Sequence, residues 1–468
     1  MRQAWLTILM ALVLAGLGAY VYWVELPAER KQADAEAQEK KLLPFEEREI
    51  TGLTVRTDGS EVVLAAAEPR TWRITAPMQT EADAREVDAM VRALALGKVS
   101  RVVQEQAAAL APFGLEKPPV VLTVSAGSRQ ETLSLGDSGP ISSTLYALRG
   151  SDRKVLLTTL APKDFLNKTL LTFRKKEVLR LDQGEVDRVR LTSAAGEIVL
   201  YRSDQASPHG PAAPAAGRKW KVVFPIEAEA DQAEARGLLL KLEDLKALGF
   251  VDPGSEQAAL LKRLTTPAVK ITVHTAGGDQ TVKLFQPDPA SGEAYAVTAP
   301  EAPVYRVSPQ AIRDFTKELF TLQDKRLLGM NLQDVAILSV KTREEQYVLI
   351  NQSGTWVLED QPAEKLNQEK VALFVSRVAD LPAEIRVVKQ AGPLAPYGLS
   401  SPAAEFTATG KDGKTKGRLI LGTKTGGLVY AIGQGLPGIH QARSDLLSQI
   451  PAKRELPAGA EPGGGTKS

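Results

Sequence analysis

The 468-residue chain contains no cysteine. That excludes disulfides, thiol catalysis, cysteine–zinc sites and thiolate-bound iron–sulfur clusters, and leaves the redox compartment open. Histidine is nearly as scarce: His209, His274 and His440 are the only three, none at ligand spacing from another, so no histidine-built zinc site is expected. Neither sign of charge is in excess. The 58 Lys and Arg against 56 Asp and Glu give +2, which is no footprint for nucleic acid or an acidic polymer. The apolar poverty of a disordered chain is missing too, since 43% of residues are apolar and 24% charged. That is globular composition, and at roughly 100–200 residues per domain the length suggests about three or four domains.

Charge is absent altogether from residues 4–24, a run opening at Ala4 and closing at Val24. At about 1.5 Å per residue this helix matches a hydrocarbon core of roughly 30 Å. Its Leu, Ile and Val residues favour insertion, and Tyr20, Tyr22 and Trp23 form an interfacial belt where a cleaved signal peptide needs a small-x-small site. A retained signal anchor is expected over residues 1–25, in the cytoplasmic membrane. Arg2 before the span and Arg30 and Lys31 after it do not decide orientation. A long C-terminal domain translocates largely regardless of its charge, which places the bulk of the chain outside the cytoplasm.

Beyond a charged stalk (26–48), the chain repeats itself. Trp72, Trp220 and Trp356 head similar segments, each followed by a helical pattern, a proline-led strand (Pro118, Pro267, Pro402) and a Tyr-Ala pair. The Trp-to-Pro offsets are 46, 47 and 46 residues, and those to Tyr146, Tyr295 and Tyr430 are 74, 75 and 74. Such a period is too long for a solenoid unit, so each copy is a domain with its own core. The copies are expected at 49–180, 181–327 and 328–456, with a flexible insert at 203–217 in the second and a disordered tail at 457–468. Within a copy, alternation around Asp58-Gly59 predicts a hairpin. Val87, Met90, Val91 and Leu94, like Val371, Phe374, Val375 and Val378, predict an amphipathic helix. A valine-rich strand (Val99, Val102, Val103; Val387, Val388) comes next, then further hairpins and a closing helix over 166–171 or 312–319. The class is α+β: a transmembrane helix followed by three tandem homologous domains of antiparallel hairpins.

The tryptophan segment, the helix, and then Phe113-Gly114-Leu115 or Tyr397-Gly398-Leu399 before a proline-led strand resemble the bacterial domain of unknown function 4340 family, from about residue 49 to 456. The resemblance implies membrane anchoring, association with gliding-motility-type ABC transporters and no assigned catalytic activity. The middle copy departs from it, with Leu260, Leu261 and Leu264 in place of the aromatic-Gly-Leu turn.

Apparent catalytic motifs dissolve when the copies are aligned. Gly433-Gln-Gly435-Leu-Pro-Gly438 fits G-x-G-x-x-G but lies between two strand patterns, where a dinucleotide loop must open a helix. Gly413-Lys414-Thr415 lacks the first glycine of a P-loop, having Ala408 there. Asp83 and Asp231 recur 11 residues after their tryptophans, but Asn367 replaces them in the third copy. Asparagine is no general acid or base, whereas all three are good N-caps, and Glu86 and Glu234 suit capping boxes. The tryptophans are expected in the cores. No catalytic, cofactor-binding or metal-ligating residue is nominated. The expectation is a non-enzymatic, membrane-anchored accessory or scaffold protein of a transporter complex, with protein partners and no nucleotide or nucleic acid. An envelope glycan- or lipid-binding protein is the alternative, and a carboxylate-dependent hydrolase the remote one.

Overall fold

The computed structural model describes residues 40–459 apart from 69–70, 107–108, 142, 151–153, 204–218, 290, 391 and 415. The expected anchor, the insert with His209, residues 26–39 of the stalk and 460–468 of the tail lie outside the described residues. Among the described residues no helix is long and apolar enough to cross a membrane.

Three antiparallel sheets of nine, nine and eight strands carry the three copies, as the α+β tandem-repeat reading expects. The first holds β1 (Gly52–Thr57), β2 (Ser60–Glu68), β3 (Thr71–Ala76), β4 (Thr80–Glu81), β5 (Val99–Gln104), β6 (Val120–Ala126), β7 (Arg129–Ser138), β8 (Leu145–Arg149) and β9 (Val155–Thr158). The β1–β2 hairpin turns at Gly59, whose φ of 77° suits glycine, and buries Leu53, Val55, Val62 and Leu64 on one face.

The strand order is β4-β3-β2-β1-β6-β7-β8-β9-β5. Because β4 and β5 occupy opposite edges, the helix between them, α1 (Ala84–Leu96), has to cross one face of the sheet. Its apolar stripe, Val87, Met90, Val91 and Leu94, is at most 2% exposed. Burying four such side chains contributes roughly 6–12 kcal/mol before entropy is counted. Two short helices, α2 (Pro162–Phe165) and α3 (Leu170–Phe173), end the copy.

The second sheet repeats this order with β10 (Arg188–Ser193), β11 (Gly196–Ser203), β12 (Lys219–Phe224), β13 (Ala228–Glu229), β14 (Gly249–Val251), β15 (Val269–Thr275), β16 (Gly278–Phe285), β17 (Ala294–Val297) and β18 (Val304–Val307). Its helices are the crossing α4 (Gln232–Glu243), then α5 (Ser255–Arg263), α6 (Gln310–Phe315) and α7 (Leu319–Leu322). The third has β19 (Val335–Thr342), β20 (Gln346–Gln352), β21 (Thr355–Leu358), β22 (Ile385–Val388), β23 (Ala404–Gly410), β24 (Lys416–Thr425), β25 (Leu428–Gly433) and β26 (Leu436–Arg443), with the crossing helix α8 (Gln368–Ala379) and a short α9 (Asp445–Ser448).

Each crossing helix is pinned at both ends by the ends of its own copy. Leu42, Val178 and Leu327 each donate a backbone hydrogen bond just past the helix C-terminus, to Gly97, Leu245 and Leu381. The N-cap residues Asp83, Asp231 and Asn367 donate theirs to Phe173, Leu322 and Leu456 near the end of the copy. The first domain therefore opens before residue 49: Leu42, Leu43 and Phe45, in the region assigned to the stalk, are in its core. Likewise Val178 and Leu179 belong to the second core, and Pro457 bridges to Leu366 in the third copy. The chain divides into two compact units, one ending at Lys176 and the other starting at Glu177 and holding the second and third sheets.

The single closing helix expected over 166–171 and 312–319 is instead two short helices. In the first copy Asn167 breaks it at a left-handed φ of 62°. In the second, the break follows Thr316, whose hydroxyl donates to the Ile312 carbonyl. Splitting the helix lets Phe165 and Phe173, or Phe315 and Leu322, all reach the core.

A smaller layer of packing lies outside these main cores. Phe113 meets Tyr146 edge-on at 5.0 Å and Tyr397 meets Tyr430 at 5.1 Å. Each aromatic-Gly-Leu turn closes through a left-handed glycine, Gly114 at φ 66° and Gly398 at φ 67°. In the middle copy α5 takes the place of that turn, and Leu260 packs with Phe285 and Tyr295.

Candidate functional site

The residues that recur among the copies are accounted for by structure. Asp83 caps α1 by accepting from the Arg85 and Glu86 amides at 3.1 and 3.5 Å, and Asp231 caps α4 by accepting from Ala233 and Glu234 at 3.0 and 3.1 Å. Asn367 accepts from Lys370 at 3.1 Å. The glutamates expected to close capping boxes turn instead to lysines near the end of their copy: Glu86 to Lys168 at 3.1 Å and Glu234 to Lys317 at 3.4 Å. In the third copy the charges are exchanged, with Lys370 on the helix reaching Glu455 at 3.3 Å.

The three tryptophans are 5–6% exposed and lie in the three main cores. Gln232 and Gln368 each bridge the backbone N–H and carbonyl of their tryptophan, at 2.9 and 2.9 Å for Trp220 and 2.7 and 2.9 Å for Trp356. Trp72 has Ala84 at that position, and its indole N–H donates to Asp88 at 2.8 Å.

Gly433 and Gly435 form the β25–β26 hairpin, not a phosphate loop. They admit the chain at 327–329: a Cβ on Gly433 would lie 2.0 Å from the Leu327 carbonyl oxygen, and one on Gly435 2.3 Å from the Gly329 Cα. Gly413 turns between β23 and β24 at φ 67°, and Thr415 lies outside the described residues. His274 is half-exposed on β15, with Nδ1 2.6 Å from Asp279 Oδ1. His440 is wholly buried on β26. Among the described residues no group of three or more His, Asp or Glu is placed to hold a metal ion.

Two surface features bear on function. In the first copy a groove of about 980 Å³ is lined by Glu47, Arg48, Ala66, Trp72, Asp88 and Arg92. Its counterpart in the second copy is filled: Arg202 lies 4.8 Å from the Trp220 ring and donates to the Gln183 and Gly184 carbonyls. The residue facing Trp72 across the strands is Ala66, while Arg202 faces Trp220. Small against long explains the open groove.

The other feature is confined to the middle copy. Tyr201, Val223, Phe224 and Ile226 are 37–48% exposed, and Arg188 lies 5.8 Å from the Tyr201 ring. Arg188, Arg190, Tyr201 and Phe224 line a shallow depression of about 530 Å³. The first copy has Thr75 and Ala76 where Val223 and Phe224 stand, and the third has Glu359 and Asp360. Exposed Tyr, Phe and Arg together are the composition of protein-interface anchors. The apolar Val223-Phe224-Pro-Ile226 run is visible in the sequence, but alternation along β12 puts Phe224 on the face of Trp220 and Val222, and only the register shift beside Val199 and Leu200, with the exposures, separates it from core.

A family model described as a domain of unknown function, DUF4340, matches residues 72–217, 220–384 and 356–455, the successive matches beginning at the tryptophan of each copy. No curated protein and no solved structure matches the chain. Covered over most of its length by three successive matches, this chain belongs to the DUF4340 family of domains of unknown function.

Proposed function

We propose that this protein is a non-enzymatic accessory or scaffold subunit, held in the cytoplasmic membrane by residues 4–24 with its three domains outside the cytoplasm, and that its partner is a subunit of an ABC transporter of the gliding-motility type. The observation that carries the reading is the exposed cluster of Tyr201, Val223, Phe224 and Ile226 beside Arg188. Residues shared by the copies serve cores and caps, so what distinguishes one copy is what a partner can read. An aromatic–arginine surface is where protein contacts concentrate their free energy. The family resemblance supplies the class of partner.

The test is crosslinking and copurification of the intact protein from membranes. Transporter subunits are expected with the wild type, and Phe224→Asp together with Tyr201→Ala should cut their recovery about tenfold or more while the thermal unfolding midpoint holds. A clean preparation without transporter subunits sinks the reading. Protease should reach the domains in spheroplasts but not in intact cells; protection in spheroplasts overturns the orientation.

The groove beside Trp72 favours a second reading, in which an envelope glycan or lipid is held there. Its volume of about 980 Å³ lies at the upper end of ligand sites, which run about 300–1,000 Å³. Binding of envelope glycans or lipid vesicles that is lost on Ala66→Arg, the middle copy's own filling, would favour it over a protein partner.

A further inference from the structure

The two strands at one edge of the third sheet, β26 and β22, carry a titratable pair that the other copies lack. Arg386 on β22 faces His440 on β26. At the same register Val102 faces Leu156 in the first copy and Phe250 faces Tyr305 in the second. Onto this pair comes Phe320 from α7, the last helix of the second copy. Its ring stacks on His440 with centroids 5.8 Å apart and planes 10° from parallel, and the Arg386 guanidinium carbon lies 4.6 Å from the same ring.

His440 is 0% exposed. Its Nε2 lies 3.1 Å from the Pro437 carbonyl oxygen, so Nε2 carries the proton and donates. Nδ1 is buried with no hydrogen-bonding partner among the described residues. A second proton would place an N–H there without an acceptor, and an unmatched buried donor costs about 1–3 kcal/mol, more when charged. The other charges do not help. Arg386 is the charged group acting on the imidazole, and Glu318 acts on Arg386. On the neighbouring strand β25, Tyr430 is the one ionisable residue, and α7 itself has none.

We propose that the Arg386–Phe320–His440 contact is an acid-releasable joint between the second and third domains, in which protonation of His440 frees Phe320 and loosens the two domains. Burial first, and Arg386 second, hold the imidazole below the usual histidine range while the joint is closed. Once open, it returns to an ordinary value near about 6.5. The open form thus binds more protons, so the joint is strongest above that value and weakens as pH falls below it.

The cysteine-free chain permits clean labelling at Lys262→Cys on α5 and Glu369→Cys on α8, both exposed. Energy transfer in the full-length protein should show an open population that rises severalfold between about pH 7.5 and 5, in the direction set by burial of the imidazole while the joint is closed. His440→Leu, which borrows the first copy's residue, should abolish the response, and His440→Tyr, which borrows the second's, should do the same if the leucine variant folds poorly. Phe320→Ala should be open at both ends of the range. An unchanged distribution in the wild type, or the same acid response in folded variants without His440, overturns the proposal.

Discussion

The middle domain and its two neighbours in sequence solve one packing problem in opposite ways. In the first and third, a turn closed by Gly114 or Gly398 brings its backbone against a strand glycine: a Cβ on Gly136 would sit 2.1 Å from the Phe113 carbonyl oxygen, and one on Gly422 2.2 Å from that of Tyr397. In the middle domain the strand position is Phe285, and no such turn exists; α5 stands back and Leu260 packs with the phenylalanine. A ring and a tight turn cannot share that space. Loss of the aromatic-Gly-Leu motif and gain of a large side chain on the strand are therefore one change, made in two places about 20–25 residues apart in the chain, and the satellite core survives it.

The largest effect expected from breaking this arrangement is at the strand glycines. Gly136→Ala or Gly422→Ala should destabilise its domain by about 3 kcal/mol or more, read by chemical denaturation of the full chain. Phe285→Ala should cost a similar amount for a different reason, the cavity left behind, at about 3–5 kcal/mol. If Gly422→Ala proves neutral, the close approach does not determine the glycine. Next come the caps, where Asp83→Ala, Asp231→Ala and Asn367→Ala should each cost about 1 kcal/mol by the same measurement; a silent substitution in one copy would show that its helix is held by the two pinning segments alone. The smallest effect is in the ion pairs. Glu86→Lys should destabilise by a few tenths to about 1 kcal/mol, since Glu86 is 40% exposed in its side chain. Glu86→Lys with Lys168→Glu should recover most of it, because the third domain already has that polarity in Lys370 and Glu455. A double-mutant cycle without coupling would make the exchange incidental.

Much of this was legible in advance where one segment of chain suffices. The hairpin around Gly59 and the stripe Val87-Met90-Val91-Leu94 follow from periodicity, and the caps follow from aligning Asp83, Asp231 and Asn367. Capping boxes at Glu86 and Glu234 were a fair local expectation that distant lysines overrode, 82 and 83 residues away. The closing helix failed similarly. Its apolar pattern runs on through Asn167, but core placement of both Phe165 and Phe173 requires a break. The candidate surface was less visible still, because alternation puts Phe224 on the same face as the buried Val222, and only the register shift beside Val199 and Leu200 turns it outward.

By itself, then, the sequence determined the number of copies, their class and the faces of their helices, because spacing and alternation are properties of neighbouring residues. Tertiary structure decided that β5 lies at the edge opposite β4, that each helix is tied to both ends of its own domain, and that His440 lost all contact with water. Those outcomes depend on contacts between residues many tens of positions apart. Such contacts acquire a free energy only once the intervening chain has closed around them.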